Sequence, residues 1–177
     1  MYLQLNSLNF DYLITIKLHA IMANTYRQLY VQVIFAVQGR KHLIPKAHKA
    51  EVQRYMTGVI QARKHKMIEI NCMPDHSHLF IGLHPDQSLS DLIEETKTAA
   101  TKFIKQQDWM PYKFSWQRGF GAFSYAHSQI SAVANYVKNQ EEHHRKRTFR
   151  EEYFDFLQKF EVEYNEKYLF DFYDDVY

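Results

Sequence analysis

The sequence predicts an α+β fold: an antiparallel sheet in the order β-α-β-β-α-β, two helices on one face, and a further helix after the last strand. Three observations predict it. Apolar residues alternate with a period of two at 26–37, 67–73 and 76–84, in segments rich in β-branched and aromatic residues. Helical spacing takes over at 46–66, 89–107 and about 128–143. Pro74-Asp75 marks a tight turn between the second and third strands, because proline cannot donate to a central ladder. The order is the split β-α-β pattern of ferredoxin-like folds. Such a fold hosts many activities, so function has to be argued from the site.

Each element has its own signal. The first strand, 26–37, runs into the basic turn Gly39-Arg40-Lys41. The helix at 46–66 repeats Tyr55, Val59 and Ala62 on one side. Segments 67–73 and 76–84 form a hairpin. Ser88 is a suitable cap for the helix at 89–107, whose apolar positions include Leu89, Leu92, Ile93, Ala100 and Ile104. Short strand pieces at 114–116 and 120–123 surround Gly119 and Gly121, and the last helix follows.

Length and composition bound the function. The chain's 177 residues suit one domain with a sizeable core, and 46% hydrophobic content argues against disorder. Residues 1–21 lack clear periodicity and precede a second methionine, Met22; they read as a poorly ordered N-terminal extension. Residues 22–145 read as the core domain and 146–177 as an acidic, aromatic-rich tail. The formal charge of +2 conceals an asymmetry: 19 basic against 10 acidic residues in 23–150, then 2 against 9 in 151–177. A basic body suggests a polyanion partner, although mixed surface charge explains it equally well. The single cysteine, Cys72, excludes a disulfide scaffold or a thiolate zinc site within one chain, and its apolar surroundings suit a core residue. The N-terminus lacks the basic start and cleavage site of a signal peptide, so a cytoplasmic protein is expected. No phosphate-cradling glycine loop is found, so no nucleotide cofactor is implied.

Two clusters carry chemistry. In Pro74-Asp75-His76-Ser77-His78-Leu79-Phe80-Ile81, strand alternation sends Ser77, Leu79 and Ile81 to a core face and puts His76 and His78 together on the other. Paired imidazoles there can grip one divalent ion, Mg²⁺ or Mn²⁺. The same spacing also suits two histidines on a half-solvated face with no ion. In Asn135-Tyr136-Val137-Lys138-Asn139-Gln140, Tyr136 and Gln140 lie one helical turn apart, beside the apolar stripe of Ile130, Val133, Ala134 and Val137. A packing tyrosine beside a solvated glutamine is the plainer explanation for that pair alone. Together the clusters assemble a metal held by His76, His78 and Gln140, with Tyr136 as nucleophile. Of the 13 tyrosines, Tyr112 and Tyr125 lack an amide partner one turn away and Tyr153 sits among carboxylates. His143 could add a ligand one turn past Gln140. Arg40, Lys41, Lys97, Lys102 and Arg118 are candidate phosphate contacts.

These residues resemble a known family. His76-Ser77-His78 is similar to the His-hydrophobic-His motif of HUH endonucleases, with Ser77 where a bulky apolar residue is commoner. Tyr136-x-x-x-Gln140 resembles the single-tyrosine helix of IS200/IS605-family transposases. Ala23-Asn24-Thr25-Tyr26 through Arg40, the Ser-Leu-Ser-Asp-Leu-Ile opening of the second helix, and Trp116-Gln117-Arg118-Gly119-Phe120-Gly121 extend the match over about 22–145. The resemblance implies a metal-dependent endonuclease and strand-transferase acting on single-stranded DNA at hairpin-marked ends. The tyrosine takes the 5′ phosphate and a 3′ hydroxyl leaves. The resemblance also implies a homodimer whose tyrosine helices can complete the partner's site. Three other readings stay open: a domesticated relative that processes repeat hairpins, a metal hydrolase without a covalent step, and a non-catalytic module that binds single-stranded nucleic acid.

Overall fold

Four strands pair in a computed structural model of the chain, described over residues 27–39, 44–109 and 113–173. They are β1 (Tyr30–Ala36), β2 (Lys66–Cys72), β3 (His76–Gly82) and β4 (Gly121–Tyr125). The sheet order is β2-β3-β1-β4 and every pair is antiparallel. Two crossing helices, α1 (Lys49–Ala62) and α2 (Leu89–Gln106), complete the expected β-α-β-β-α-β order. Beyond β4 come α3 (Ile130–Lys138), α4 (Gln140–His144) and α5 (Phe149–Lys159). The expectations for residues 1–21 lie outside the described residues.

The pleat divides the sheet into two buried faces. Val33 and Phe35 of β1 and Leu79 and Ile81 of β3 point to one side. There they meet Val52, Met56 and Ile60 of α1 and Leu92, Ile93, Ala100 and Ile104 of α2. Ile34 and Ala36 point to the other side and, with Phe123, meet Phe149, Tyr153, Phe156 and Leu157 of α5. Phe80 packs there against Val133 and Val137 of α3. The two helices expected on one face are thus α1 and α2, and the tyrosine-bearing helix shares the opposite face with α5. The apolar stripe of α3 is covered by its own sheet.

Local chemistry sets the boundaries. The helix expected from 46 begins as a 3₁₀ turn, Lys46–His48, and ends at Ala62 because Lys64 turns left-handed at φ 64°. The Ser88 side chain caps α2, accepting from the Asp91 amide at 3.1 Å. The strand piece expected at 114–116 contributes one bridge, Val37 to Trp116. The helix expected at 128–143 is broken at Asn139, which separates α3 from α4. Thr148 opens α5 with a capping box to Glu151. Among the described residues, no helix is long and apolar enough to cross a membrane.

Gly121 is required by close approach. A Cβ there would stand 2.8 Å from Tyr153 Cε2 and 2.9 Å from its hydroxyl. Tyr153 is itself buried between Phe123 and Phe170, so it has nowhere to retreat. Gly121→Ala should therefore lower stability by about 1–3 kcal/mol. The expected readout is an earlier urea midpoint at unchanged slope.

Candidate active site

The fixed half of the site is β3. Its alternation places His76 and His78 opposite the core face, and both are fully buried. The half-solvated alternative is excluded by α3, α4 and α5, which close over that face. Each ring is held from behind. His76 Nδ1 lies 2.8 Å from Asp75 Oδ1, and His78 Nδ1 lies 3.0 Å from the Gln32 amide. Tyr125 donates to the other end of that amide at 2.9 Å.

The second half comes from the chain after β4. Asn71 of β2, paired opposite His78, donates to the Lys138 carbonyl at 2.9 Å and pins the end of α3 over the histidines. The break at Asn139 then swings α4 so that Gln140 and His144 are both buried. From α5, the buried Glu152 enters between them. Its Oε1 accepts from the Tyr136 hydroxyl and, at 2.9 Å, from Gln140 Nε2. Its Oε2 lies 3.2 Å from His78 Nε2, 3.4 Å from His144 Nε2 and 3.9 Å from His76 Nε2. His76 and His144 approach each other at 3.1 Å, Nε2 to Nε2. One donor atom each from His76, His78, His144 and Glu152 falls within 4.8 Å of the others, a geometry that could hold a metal ion.

Burial sets the proton positions. It pulls the His76 pKa down to about 4 against the opposing pull of Asp75, so the ring is neutral near pH 7. Burial alone would raise Glu152, but the surrounding imidazoles, His78 first, hold it well below the usual carboxylate range. Burial and then the Glu152 charge push the Tyr136 phenol far above its ordinary value. The resting pair is thus a protonated tyrosine donating to an ionised carboxylate.

The other expected residues divide. Tyr136, Gln140, His76 and His78 are brought together in one chain, with the His78 and Tyr136 ring centroids 6.4 Å apart. His143 is outside the metal-like group; its ring lies 4.6 Å from that of Tyr136, and its neighbour His144 takes the place by the histidines. Lys97 spends its ammonium on the carbonyls of Gln117 and Gly119, at 2.7 and 2.8 Å. Burial lowers its pKa to about 8. Lys102 and Arg118 are exposed along one groove of about 710 Å³ that also displays Lys105 and is floored by the buried Trp116. Arg40 and Lys41 lie outside the described residues. Cys72 is buried, and burial pushes its thiol up to about 11, which suits a core residue. Sequence reasoning missed His144 and Glu152. The Thr148-x-x-Glu151 capping box, followed by Tyr153, Phe156 and Leu157 at helical spacing, was the signal that could have found α5.

The structure thus sets paired buried histidines on a sheet that faces a tyrosine-bearing helix. Residues 25–140 match the family described as Transposase IS200 like, and the chain belongs to it. Two solved structures share the fold. One, from Deinococcus radiodurans R1, is assigned as a transposase; at 15% identity and a TM-score of 0.53 the match covers 67% of this chain and 95% of that one. The other is a REP-associated tyrosine transposase bound to a REP hairpin, with 15% identity, a TM-score of 0.53, and 70% and 74% of the two chains covered. No curated protein matches the sequence.

The low pKa of His76 has a consequence for the chelated protein. Between about pH 6.5 and 4 the unfolded chain binds a proton there that the folded chain refuses. Stability should be fully present above that window and fall as pH drops through it, by at most about 1.4 kcal/mol per pH unit for this group. Urea midpoints in EDTA at pH 7.5 and pH 5 measure the slope, which His76→Asn should reduce. A flat profile would contradict a neutral buried His76.

Proposed function

We propose that this protein cleaves and rejoins single-stranded DNA through a covalent bond to Tyr136. The observation that carries the proposal is the contact of the Tyr136 hydroxyl with Glu152, inside the same buried group as His76 and His78. In the reaction, the Tyr136 oxygen attacks the scissile phosphorus and forms a phosphotyrosine. The bond from phosphorus to the 3′ oxygen breaks, and that oxygen leaves as a hydroxyl with a proton. Glu152 Oε1, already the acceptor of the phenol hydrogen, receives the proton that Tyr136 gives up. His76, His78 and Gln140, whose Oε1 is buried without a hydrogen-bond partner, are the proposed holders of a divalent ion. Such an ion would act as a Lewis acid on the phosphate oxygens.

The substrate reading draws on family membership and on the relative seen with a REP hairpin. A hairpin-marked single strand offers a flexible phosphate that can be bent toward a half-buried tyrosine. The groove displaying Lys102, Lys105 and Arg118 is suited to backbone charge. A homodimer belongs to the proposal through the family resemblance alone. The packing of Val133 and Val137 on Phe80 already covers the apolar stripe that would otherwise ask for a partner.

Tyr136→Phe removes the attacking oxygen and keeps the ring. It should fold and bind DNA as the parent does, yet form no protease-sensitive covalent adduct with labelled single-stranded DNA in Mg²⁺ or Mn²⁺. An adduct at the parental rate would place the nucleophile elsewhere.

Replacing Lys102 and Arg118 together by alanine should weaken binding of a labelled hairpin. The slope of log K against log salt should become shallower by about 1–2, the release expected from two phosphate contacts. An unchanged slope would remove this groove from the DNA path.

A further inference from the structure

We infer that His144 and Glu152 are metal ligands alongside His76 and His78, making a nitrogen-rich site for a first-row transition cation in preference to Mg²⁺. The inference rests on the proposed function for the presence of an ion and amends its ligand set, with His144 and Glu152 in the place given there to Gln140. The argument begins behind the rings. His76 Nδ1 faces a carboxylate oxygen of Asp75 at 2.8 Å, and His144 Nδ1 faces the Arg147 carbonyl at 3.0 Å. Both partners are acceptors, so each Nδ1 carries the ring proton and each Nε2 presents a lone pair. The two lone pairs point at one another across 3.1 Å. Two facing acceptors repel, and a shared cation converts the repulsion into ligation.

His78 fits the same scheme. Its Nδ1 meets the Gln32 amide, whose far end meets the Tyr125 hydroxyl. A hydroxyl both donates and accepts, so the amide can turn over and take the ring proton on its oxygen. His78 Nε2 is then a third lone pair, and it is buried without a hydrogen-bond partner. Glu152 Oε2 is buried beside it, 3.2 Å from His78 Nε2 and 3.4 Å from His144 Nε2. Each histidine thus has an outer group fixing its ring, as metal-bound imidazoles do.

The spacing agrees. Nitrogen and oxygen ligands about 2.0–2.2 Å from a tetrahedral ion stand roughly 3.3 Å apart. Three of the separations here are 3.1, 3.2 and 3.4 Å, and the separation of Glu152 from His76 is 3.9 Å. Three imidazoles and one carboxylate favour zinc, cobalt or manganese, whereas Mg²⁺ prefers oxygen donors and retained water. Two of the four ligands lie on segments that follow the family-matched residues 25–140. Ion binding would therefore clamp α4 and α5 to β3. Because Glu152 Oε1 keeps the Tyr136 hydroxyl, the same carboxylate would hold the nucleophile beside the ion.

Co²⁺ titration of the full, EDTA-treated protein tests this. One equivalent should give the intense visible absorption of tetrahedral cobalt, resist a large excess of Mg²⁺, and raise the melting temperature. Glu152→Gln and His144→Gln, each checked for parental circular dichroism in EDTA, should weaken binding by more than about tenfold, since even outer partners of ligands cost that much. Both should also lose the tetrahedral spectrum. If neither variant changes affinity or spectrum while His76→Asn and His78→Asn abolish binding, this inference is overturned and the two-histidine site of the proposed function stands. If the parent protein binds no Co²⁺, Zn²⁺ or Mn²⁺, a shared proton occupies the cluster, and the metal part of both readings falls.

Discussion

One buried carboxylate organises the functional half of this molecule. An ionised glutamate taken out of water is costly unless charge and hydrogen bonds surround it. Glu152 is almost wholly buried, and the donors around it answer part of that cost. Tyr136 and Gln140 donate to one oxygen, and three imidazoles crowd the other. Removing Glu152 would leave a phenol and an amide without their acceptor. The cluster therefore works as a unit. Its members come from β3, α3, α4 and α5, so the same group also joins the C-terminal helices to the sheet.

The sheet can support this because it is covered on both faces. The α1 and α2 side is a conventional apolar core, with Val33, Phe35, Leu79 and Ile81 as its floor. That side stabilises the strands and leaves the opposite face available for polar residues. There the apolar content is divided into two patches, one around Phe80 and α3, the other around Phe123 and α5. The histidines sit between the patches. His76 stacks on Phe149 at a centroid distance of 3.9 Å, so even its ring face is excluded from water. Dry walls of this kind strengthen electrostatics at the site and explain why His76 resists protonation.

Much of this was legible in the sequence. Period-two alternation through 76–84 put His76 and His78 on one side, and Ser88 and Pro74 marked an end of a helix and a turn where the structure has them. Tyr136 and Gln140 were joined by helical spacing, and they do converge, although through Glu152 and across a helix break that spacing does not reveal. The Lys138 carbonyl just before the break is held by Asn71, a contact between residues 67 positions apart. Glu152 was illegible for a different reason. In an acidic stretch, nine carboxylates look like solvated charge, and only tertiary packing distinguishes the one that turns inward. Tyr153, set aside for its acidic surroundings, is in fact core: it packs over Gly121, and burial pushes its hydroxyl up to about 12.

The family match ends at residue 140, after the two histidines, the tyrosine and the glutamine but before His144 and Glu152. The matched part forms the sheet and carries the tyrosine, and the face of the sheet that bears His76 and His78 receives the segments that follow. A short helix and an aromatic-rich segment follow, and both return to that face. Phe149, Tyr153, Phe156 and Leu157 supply the apolar contact that holds α5 down. That burial, at about 1.5–3 kcal/mol for each well-buried side chain, is what can offset the cost of carrying Glu152 inside. The aromatic content of the tail and its buried charge are therefore two sides of one arrangement: without the aromatic anchor the carboxylate would stay in water, and without the carboxylate the hydroxyl of Tyr136 would have no fixed acceptor.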